Sequence, residues 1–130
     1  MRKLLIATLA VCLGFAATAD AARYNHARHL GSTRLSHAEN DVDVLRFRSC
    51  RSDVHAIQLR TSRGQVEIER LWVRYANGER DTLSVRDRIA KGGSTRWIDL
   101  RGGKRCIAEI GIIGDTERSR DQARVDIWAR

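Results

Sequence analysis

The segment RCIAEIGIIG, residues 105–114, constrains the fold of this chain more than any other stretch. Its apolar residues recur with a period of two, which is the repeat of a β-strand. One face of that strand would carry Cys106, Ala108, Ile110 and Ile112. Because Ile107 and Ile113 place apolar side chains on the other face as well, the segment predicts a central strand, with the thiol of Cys106 pointing inward.

Residues 1–21 have the pattern of a secretory signal peptide, with a basic start, an apolar run and small residues at the expected cleavage positions. The apolar run Leu4–Ala17 is well short of the roughly 20 residues of a membrane-spanning helix. Lipidation at Cys12 is a weaker alternative, because the large Val11 precedes that cysteine. The sequence therefore predicts a periplasmic or secreted protein with no integral membrane segment after cleavage.

Once the signal is removed, the chain has the length of one domain. Residues 22–29 carry no apolar period and are expected to form a flexible lead-in. Residues 30–130 are expected to form a single domain.

Two cysteines remain in that chain, Cys50 and Cys106. An even pair in an exported protein indicates a disulfide, which would remove unfolded-state entropy worth roughly 4 kcal/mol on the chain-entropy model. A redox-active pair or a metal thiolate site is the alternative, but both are usually marked by a Cys-x-x-Cys spacing that this sequence lacks.

Turn signals rich in Gly, Asn, Asp and Ser divide the chain into eight or nine short strands, with no helical period beyond the signal. This pattern predicts an all-β fold, an antiparallel β-sandwich with Greek-key crossings. Asn77-Gly78 predicts a hairpin, and Ser62-Arg63-Gly64 predicts a second one between Val54–Thr61 and the strand from Gln65. Residues 51–53 are expected to form a turn, and Ser94–Leu100 a strand.

Two strands show shifts in their apolar alternation, which is the sequence mark of a β-bulge. In Asp41–Cys50, Val42 and Val44 share one face, whereas Leu45 and Phe47 share the other. The second shift, near Glu69, brings Leu71, Val73 and Tyr75 to the core side.

That second shift leaves Arg70, Trp72 and Arg74 on the opposite face of the strand. A flat aromatic ring between guanidinium groups can stack a sugar and hold an anion, so this stripe, helped by Arg96, is the candidate binding site for an anionic glycan or lipid. Coverage of Trp72 by a loop or by an opposing sheet is the alternative.

The formal net charge of +8 favours anionic partners. All but three of the 24 basic residues are arginines, and they are dispersed along the chain, as in a solvated surface. Nucleic acid is not expected, because aromatic residues make up only 5% of the chain and no base-stacking motif is visible. His26 and His29 have a spacing that could hold a metal weakly, but no acidic or cysteine ligand accompanies them, and neither a metal nor a cofactor is expected.

Several short sequence motifs occur along the chain in an order that resembles that of a known family. They are Leu30-Gly31, Cys50-Arg51 followed by Ile57-Gln58-Leu59, Gly64, Val73-x-Tyr75, Gly93-x-Thr95-x-Trp97-Ile98, Arg105-Cys106-Ile107 with Ile110, and Gly114-x-Thr116. The chain resembles the YaaI-like family of small exported proteins of Gram-negative bacteria, classed as a domain of unknown function. The resemblance implies a periplasmic or secreted location and a Cys50–Cys106 disulfide; it supplies no catalytic residue, and the Arg70 to Arg74 stripe lies outside it.

Three functions are compatible with these features. The first is an exported, non-catalytic binding or structural module of the cell envelope, and the second is a periplasmic interaction partner or inhibitor that adds a strand at a sheet edge. The third is a small hydrolase, for which the candidate acids are Asp81, Asp87, Asp115 and Glu117. Glycoside hydrolysis needs two carboxyl groups held about 5 to 9 Å apart, which strand spacing does not establish. We therefore expect a protein that is not an enzyme.

Overall fold

The computed structural model describes residues 27–38, 41–85, 87–116 and 122–130, and in these ranges it contains nine strands and no helix. The strands are β1 (Arg28–Leu35), β2 (Asp41–Val54), β3 (Ala56–Arg63), β4 (Val66–Tyr75), β5 (Arg80–Leu83), β6 (Asp87–Ile89), β7 (Ile98–Asp99), β8 (Arg105–Asp115) and β9 (Ala123–Ala129). The predicted signal peptide, His26 and Glu117 lie outside the described residues. The first strand begins at Arg28, so Arg28 and His29 belong to a strand and not to the lead-in.

The strands form two antiparallel sheets, which confirms the predicted β-sandwich. One is a four-stranded sheet in the order β1-β9-β3-β7; the other is a five-stranded sheet in the order β2-β8-β4-β5, with β6 also paired to β4. Every connection among the described strands, except those that join β4, β5 and β6, crosses from one sheet to the other. The sheets bury a common apolar core, with Leu59 and Ile127 on one side and Leu71 and Ile112 on the other. Burying each such side chain contributes about 1.5–3 kcal/mol.

The central strand was predicted correctly, but the direction of the cysteine was wrong. β8 pairs with β2 on one edge and with β4 on the other. Glu109 lies opposite Arg74 and Ile107 lies opposite Tyr75, so Ala108 is an extra residue in β8. This bulge reverses the alternation, because one inserted residue exchanges the two faces of a strand. Ile107 is therefore in the core, whereas Cys106 is only half-buried.

A disulfide joins Cys50 of β2 to Cys106 of β8, as predicted, with their Cα atoms 5.3 Å apart. It bridges the two strands where their pairing is irregular, since Arg46 is opposite Glu109 but the next paired residue of β2, Arg51, is opposite Ile107. The bond therefore holds the strands together where the hydrogen-bonded ladder does not. A disulfide here is compatible with an oxidising compartment.

Two of the predicted local features in β4 are confirmed. Ile68 lies opposite Gly114 and Arg70 opposite Ile113, so Glu69 is the extra residue of a bulge. The hairpin at Asn77-Gly78 joins β4 to β5, with Gly78 at a φ of 89° and its N–H donating to the carbonyl of Tyr75 over 3.0 Å.

The predicted hairpin at Ser62-Arg63-Gly64 is wrong. Gly64 has a φ of 79°, but β3 belongs to the four-stranded sheet and β4 to the five-stranded sheet. A glycine turn reverses the chain without fixing which strand the returning segment will pair with. The turn therefore connects the two layers of the sandwich.

Three other local predictions also differ from the structure. The turn at 51–53 is absent, since β2 continues to Val54 and Asp53, at a φ of 56°, lies just before the corner at which the chain enters β3 and changes sheet. The strand expected over Ser94–Leu100 is reduced to β7, with an isolated bridge from Ser94 to Arg60. No bulge separates Val44 from Leu45, because the register with β8 is regular from Asp41 to Arg46. Ordinary alternation places Leu45 against the core and leaves Val42 54% exposed.

Gly111 of β8 is required by the aromatic ring beside it. It lies opposite Trp72, and a Cβ atom at Gly111 would overlap the indole ring. We expect Gly111→Ala to lower the free energy of unfolding by about 1–3 kcal/mol, which is the usual cost of overpacking. Urea unfolding of Gly111→Ala alone and in a Trp72→Leu background tests the cause. The cost should fall sharply in the second background, and an equal cost in both would show that the ring is not responsible.

Candidate functional site

The predicted site residues fall in two places. Arg70, Trp72 and Arg74 are on β4, on the face of the five-stranded sheet that points away from the core. Arg96 lies between β6 and β7, where its Nη2 donates to the carbonyl oxygen of Ser84 over 3.3 Å. Ser84 follows the last residue of β5, the strand beside β4. The stripe therefore lies on the outer face of the five-stranded sheet, as expected. Arg96 is hydrogen-bonded to the residue that follows the edge strand β5.

Trp72 is covered and does not present a bare ring. Its side chain lies against Gly111, and the guanidinium carbon of Arg80 is 3.8 Å from the ring centroid. The residue is only 9% exposed. An incoming sugar or base would meet the Arg80 guanidinium before it met the indole, so Trp72 supports a cation instead of offering a stacking surface.

Arginines cross this outer face from strand to strand. Arg46 of β2 and Arg74 of β4 both lie opposite Glu109 of β8, and Arg74 lies opposite Arg80 of β5. Glu109 Oε1 is 2.8 Å from Arg74 Nη2 and 3.5 Å from Arg46 Nε. We call Arg46, Arg70, Arg74 and Arg80 the basic face. Two of its guanidinium groups, those of Arg46 and Arg74, contact the carboxylate of Glu109.

The ion pair leaves positive charge on the outside. The side chain of Glu109 is 18% exposed, whereas that of Arg46 is 71% exposed. The hydrogen bond from Arg74 and the charges of Arg74 and Arg46 lower the pKa of Glu109 despite partial burial, and the same hydrogen bond raises the pKa of Arg74. Glu109 and Arg74 are therefore both charged at neutral pH. Sequence alternation had marked Arg70 and Arg74 as outward, and the strand pairing adds Arg46 and Arg80, which flank the predicted stripe.

The outer face of the four-stranded sheet holds a second polar cluster, around Asp126 of β9. Asp126 Oδ1 accepts a hydrogen bond from the hydroxyl of Ser32 over 2.6 Å and lies 3.1 Å from His29 Nε2 and 3.3 Å from Arg124 Nε. Burial would raise the pKa of Asp126, but hydrogen bonds from Ser32, Ser62 and His29 and the charge of Arg124 outweigh it and lower the pKa to about 2. From the sequence, His29 was a candidate only for weak metal binding with His26, and the structure places it in this hydrogen-bonded cluster instead.

The arrangement of Ser32, His29 and Asp126 differs from that of an activated serine. In a nucleophilic triad the histidine lies between hydroxyl and carboxylate and uses a different ring nitrogen for each. Here the Ser32 hydroxyl donates directly to Asp126, and the same Nε2 of His29 faces both groups, at 3.5 Å from Ser32 Oγ. The cluster therefore holds β1 and β9 together and does not have the geometry that removes a proton from Ser32.

Trp128 lies beside this cluster with both sides of its ring occupied. The ring of His29 meets it edge-on at 5.2 Å between centroids, and the guanidinium carbon of Arg60 is 4.4 Å from its centroid. Trp72 and Trp128, on opposite faces of the sandwich, are therefore both stacked with arginines of their own chain.

The candidate hydrolase acids are spread over three strands. Asp81 of β5 accepts a hydrogen bond from the Tyr75 hydroxyl over 3.3 Å, and burial together with this carboxylate raises the pKa of Tyr75 to about 12. Asp115 of β8 is 3% exposed. Asp87 of β6 lines an acidic cleft of about 510 Å³ together with Glu67 and Glu69 of β4. Across the described residues, no group of three or more His, Cys, Asp or Glu side chains is arranged to hold a metal ion.

These features define a class of protein: a small, disulfide-bonded sandwich of two antiparallel sheets whose outer faces carry arginines. A family model described as "Domain of unknown function (DUF2541)" matches residues 4–129, so the chain belongs to that family. This confirms the expected membership of an uncharacterised family. No curated protein matches the chain, and no solved structure matches it. In the described part of the chain, no helix is long and apolar enough to span a membrane.

Asp126 should make stability depend on pH in the acid range. Its folded pKa of about 2 is below the ordinary value of 3.8, so the carboxylate stabilises the fold above pH 4, and this contribution is lost as the pH falls toward 2. We expect Asp126→Asn to lower the free energy of unfolding at neutral pH by about 2 kcal/mol, with the difference from the unchanged protein closing below pH 3.

Urea unfolding at a series of pH values measures this difference. Asp99→Asn is the control, because it removes the same charge from an exposed side chain and should cost much less at neutral pH. A difference between Asp126→Asn and the unchanged protein that stays constant from pH 7 to pH 2 would contradict the assignment.

Proposed function

We propose that this protein is an exported, non-catalytic binding module that holds an anionic glycan or lipid of the cell envelope on its basic face. The observation that carries the proposal is the cross-strand placement of Arg46, Arg74 and Arg80 with one carboxylate among them. Arginine forks suit carboxylate and phosphate groups, which accept two parallel hydrogen bonds. Export rests on the pattern of residues 1–21, and the Cys50–Cys106 disulfide supports an oxidising destination, either the periplasm or the exterior.

The packing of Trp72 supports charge as the source of affinity. With Arg80 stacked on the ring, the rotation of that long side chain is restricted before a partner arrives. The restriction lowers the entropy lost on binding, because one guanidinium is already held in place. Glu109 orients Arg74 in the same way over 2.8 Å. The face therefore offers two held guanidinium groups, those of Arg74 and Arg80, and two further exposed arginines, Arg46 and Arg70.

The hydrogen-bond partners of two carboxylates support the proposal that the protein is non-catalytic. Asp81 accepts a hydrogen bond from the Tyr75 hydroxyl, and Asp126 accepts one directly from the Ser32 hydroxyl. Both carboxylates therefore have structural partners. An enzyme would need a base aimed at a reacting group, with a pKa near the working pH.

The test is retention of material from a detergent-solubilised envelope extract by the mature, oxidised protein. Anionic lipid or glycan should be retained at low salt and largely released at physiological salt, where surface charges farther apart than about 8 Å are screened. Arg46→Gln/Arg70→Gln should lower retention roughly tenfold or more, since bonds to charged groups are the strong ones. Neither change uncovers Trp72.

Lys91→Gln/Lys104→Gln is the matched control, because both lysines are exposed in turns away from the basic face. It removes the same charge and should retain the lipid or glycan nearly as well as the unchanged protein. Equal losses of retention in the two double variants would show that retention depends on the net charge of the protein and not on the basic face. Recovery of a single protein, at either salt and with either variant, would instead favour the interaction partner that adds a strand at a sheet edge.

A further inference from the structure

A second group of arginines lies on the opposite sheet, in a single row across three strands. Arg34 of β1 is directly opposite Arg124 of β9, and Arg124 is directly opposite Arg63 of β3. We call these three residues the Arg124 row. They line a cleft of about 480 Å³ together with Ser62, Gln122 and Ala123. No acidic side chain is among these lining residues.

Such a row opposes stability in the free protein. Like charges directly opposite each other on neighbouring strands are destabilising, and here two such pairs occur in succession. Arg124 is partly compensated, since its Nε is 3.3 Å from Asp126 and its Nη2 donates to Ser32 over 3.1 Å. In the parts of the chain that the structure describes, no carboxylate forms an ion pair with the guanidinium of Arg34 or Arg63. The nearby Asp43 binds only the backbone N–H of Arg34, over 2.8 Å.

The local backbone places Arg63 in the row. Thr61 pairs with Val125 and Arg63 with Arg124, so Ser62 is an extra residue in β3. A bulge of this kind changes the direction of the side chain that follows it, and such bulges are frequent beside functional sites. Ser62 is itself hydrogen-bonded to Asp126, which also contacts Arg124. Asp126 thus holds in place two of the residues that line the cleft, Ser62 and Arg124.

We propose that the Arg124 row binds a phosphate monoester. Neighbouring strands are about 4.8 Å apart, so the three arginines start from positions close enough for their forks to reach different oxygens of one tetrahedral anion. A carboxylate needs only one fork, whereas a phosphate monoester carries more charge and three acceptor oxygens. The amide of Gln122 adds a neutral donor at the rim.

The cleft of about 480 Å³ leaves room for part of the group that bears the phosphate. That group could be a sugar in solution or a lipid headgroup, and both present the same phosphate chemistry. The site lies on the opposite sheet from the basic face, so it goes beyond the function proposed above and is tested separately from it.

The experiment uses inorganic phosphate as the probe, followed by NMR of the arginine Nε–H groups at constant ionic strength set with chloride. The signals of Arg34, Arg63 and Arg124 should shift and reach saturation. Arg34→Gln/Arg63→Gln should weaken the apparent binding roughly tenfold or more for each arginine removed. The control Lys91→Gln/Lys104→Gln removes the same charge from exposed residues outside both arginine groups, and it should leave the phosphate-induced shifts of Arg34, Arg63 and Arg124 unchanged.

Thermal unfolding supplies a second readout that does not depend on assigning the signals. Without phosphate, Arg34→Gln/Arg63→Gln should unfold at a higher temperature than the unchanged protein, because the repulsion in the row is relieved. With phosphate, the melting temperature of the unchanged protein should rise by more than that of this variant, since the unchanged protein binds the anion more tightly. The comparison removes the general stabilisation by phosphate, which acts on both proteins alike.

Sedimentation with phosphatidylcholine vesicles, prepared with and without phosphatidic acid, distinguishes the two sources of the phosphate. Binding that needs both phosphatidic acid and the Arg34 and Arg63 side chains would assign a lipid headgroup. Saturable binding of inorganic phosphate without vesicle binding would assign a soluble ligand. The proposal is overturned if phosphate shifts are unsaturable, or are the same in Arg34→Gln/Arg63→Gln as in the unchanged protein, and no vesicle binds.

Discussion

The structure depends on β8, which is paired along both edges and therefore sets the register of the five-stranded sheet. Its bulge at Ala108 brings Ile107 into the core and turns Cys106 away from it, toward β2. On its outer side, β8 places Glu109 between Arg46 and Arg74, and Gly111 beneath Trp72. A one-residue change of register would exchange these two sets of side chains between core and surface. The disulfide opposes such a slip, because it fixes β2 to β8 where their ladder is irregular.

The sequence alone predicted the fold class, the central strand, the cysteine pair and the hairpin at Asn77-Gly78, because each depends on local alternation or on residue chemistry. It failed where the partner of a strand decides the outcome. A turn at Gly64 has the same local signal whether it joins paired strands or crosses between sheets. The inward direction assigned to Cys106 was wrong because a bulge at Ala108 leaves no mark in an apolar run. Parity could locate the bulge at Glu69 only because charged residues there interrupt the apolar pattern.

The candidate site shows the same limit. Alternation placed Arg70, Trp72 and Arg74 on one face of β4, but coverage of the indole depends on Arg80, which comes from the next strand. The opposition of Arg34, Arg124 and Arg63 requires the order of three strands that are far apart in the sequence. Strand pairing brings together the binding residues on the face of a sheet. The alternation within one strand identifies the outward residues of that strand, but it does not identify the residues that lie opposite them on the neighbouring strands.

The two arginine groups differ in how their charge is balanced, and this difference bears on what each is able to recognise. The basic face has an internal carboxylate, Glu109, and the guanidinium groups of Arg74 and Arg80 are held before any partner arrives. Among the described residues, the Arg124 row has an ion-paired carboxylate only at Arg124, so a bound anion would relieve the repulsion that remains. An unbalanced row selects for the charge and geometry of a single group, because adding an anion to it both forms contacts and removes strain. The basic face already contains a carboxylate between Arg46 and Arg74, so it gains less from any single anion. The rings of Trp72 and Trp128 are each stacked by an arginine of the chain, so neither sheet face offers a bare aromatic surface to a sugar.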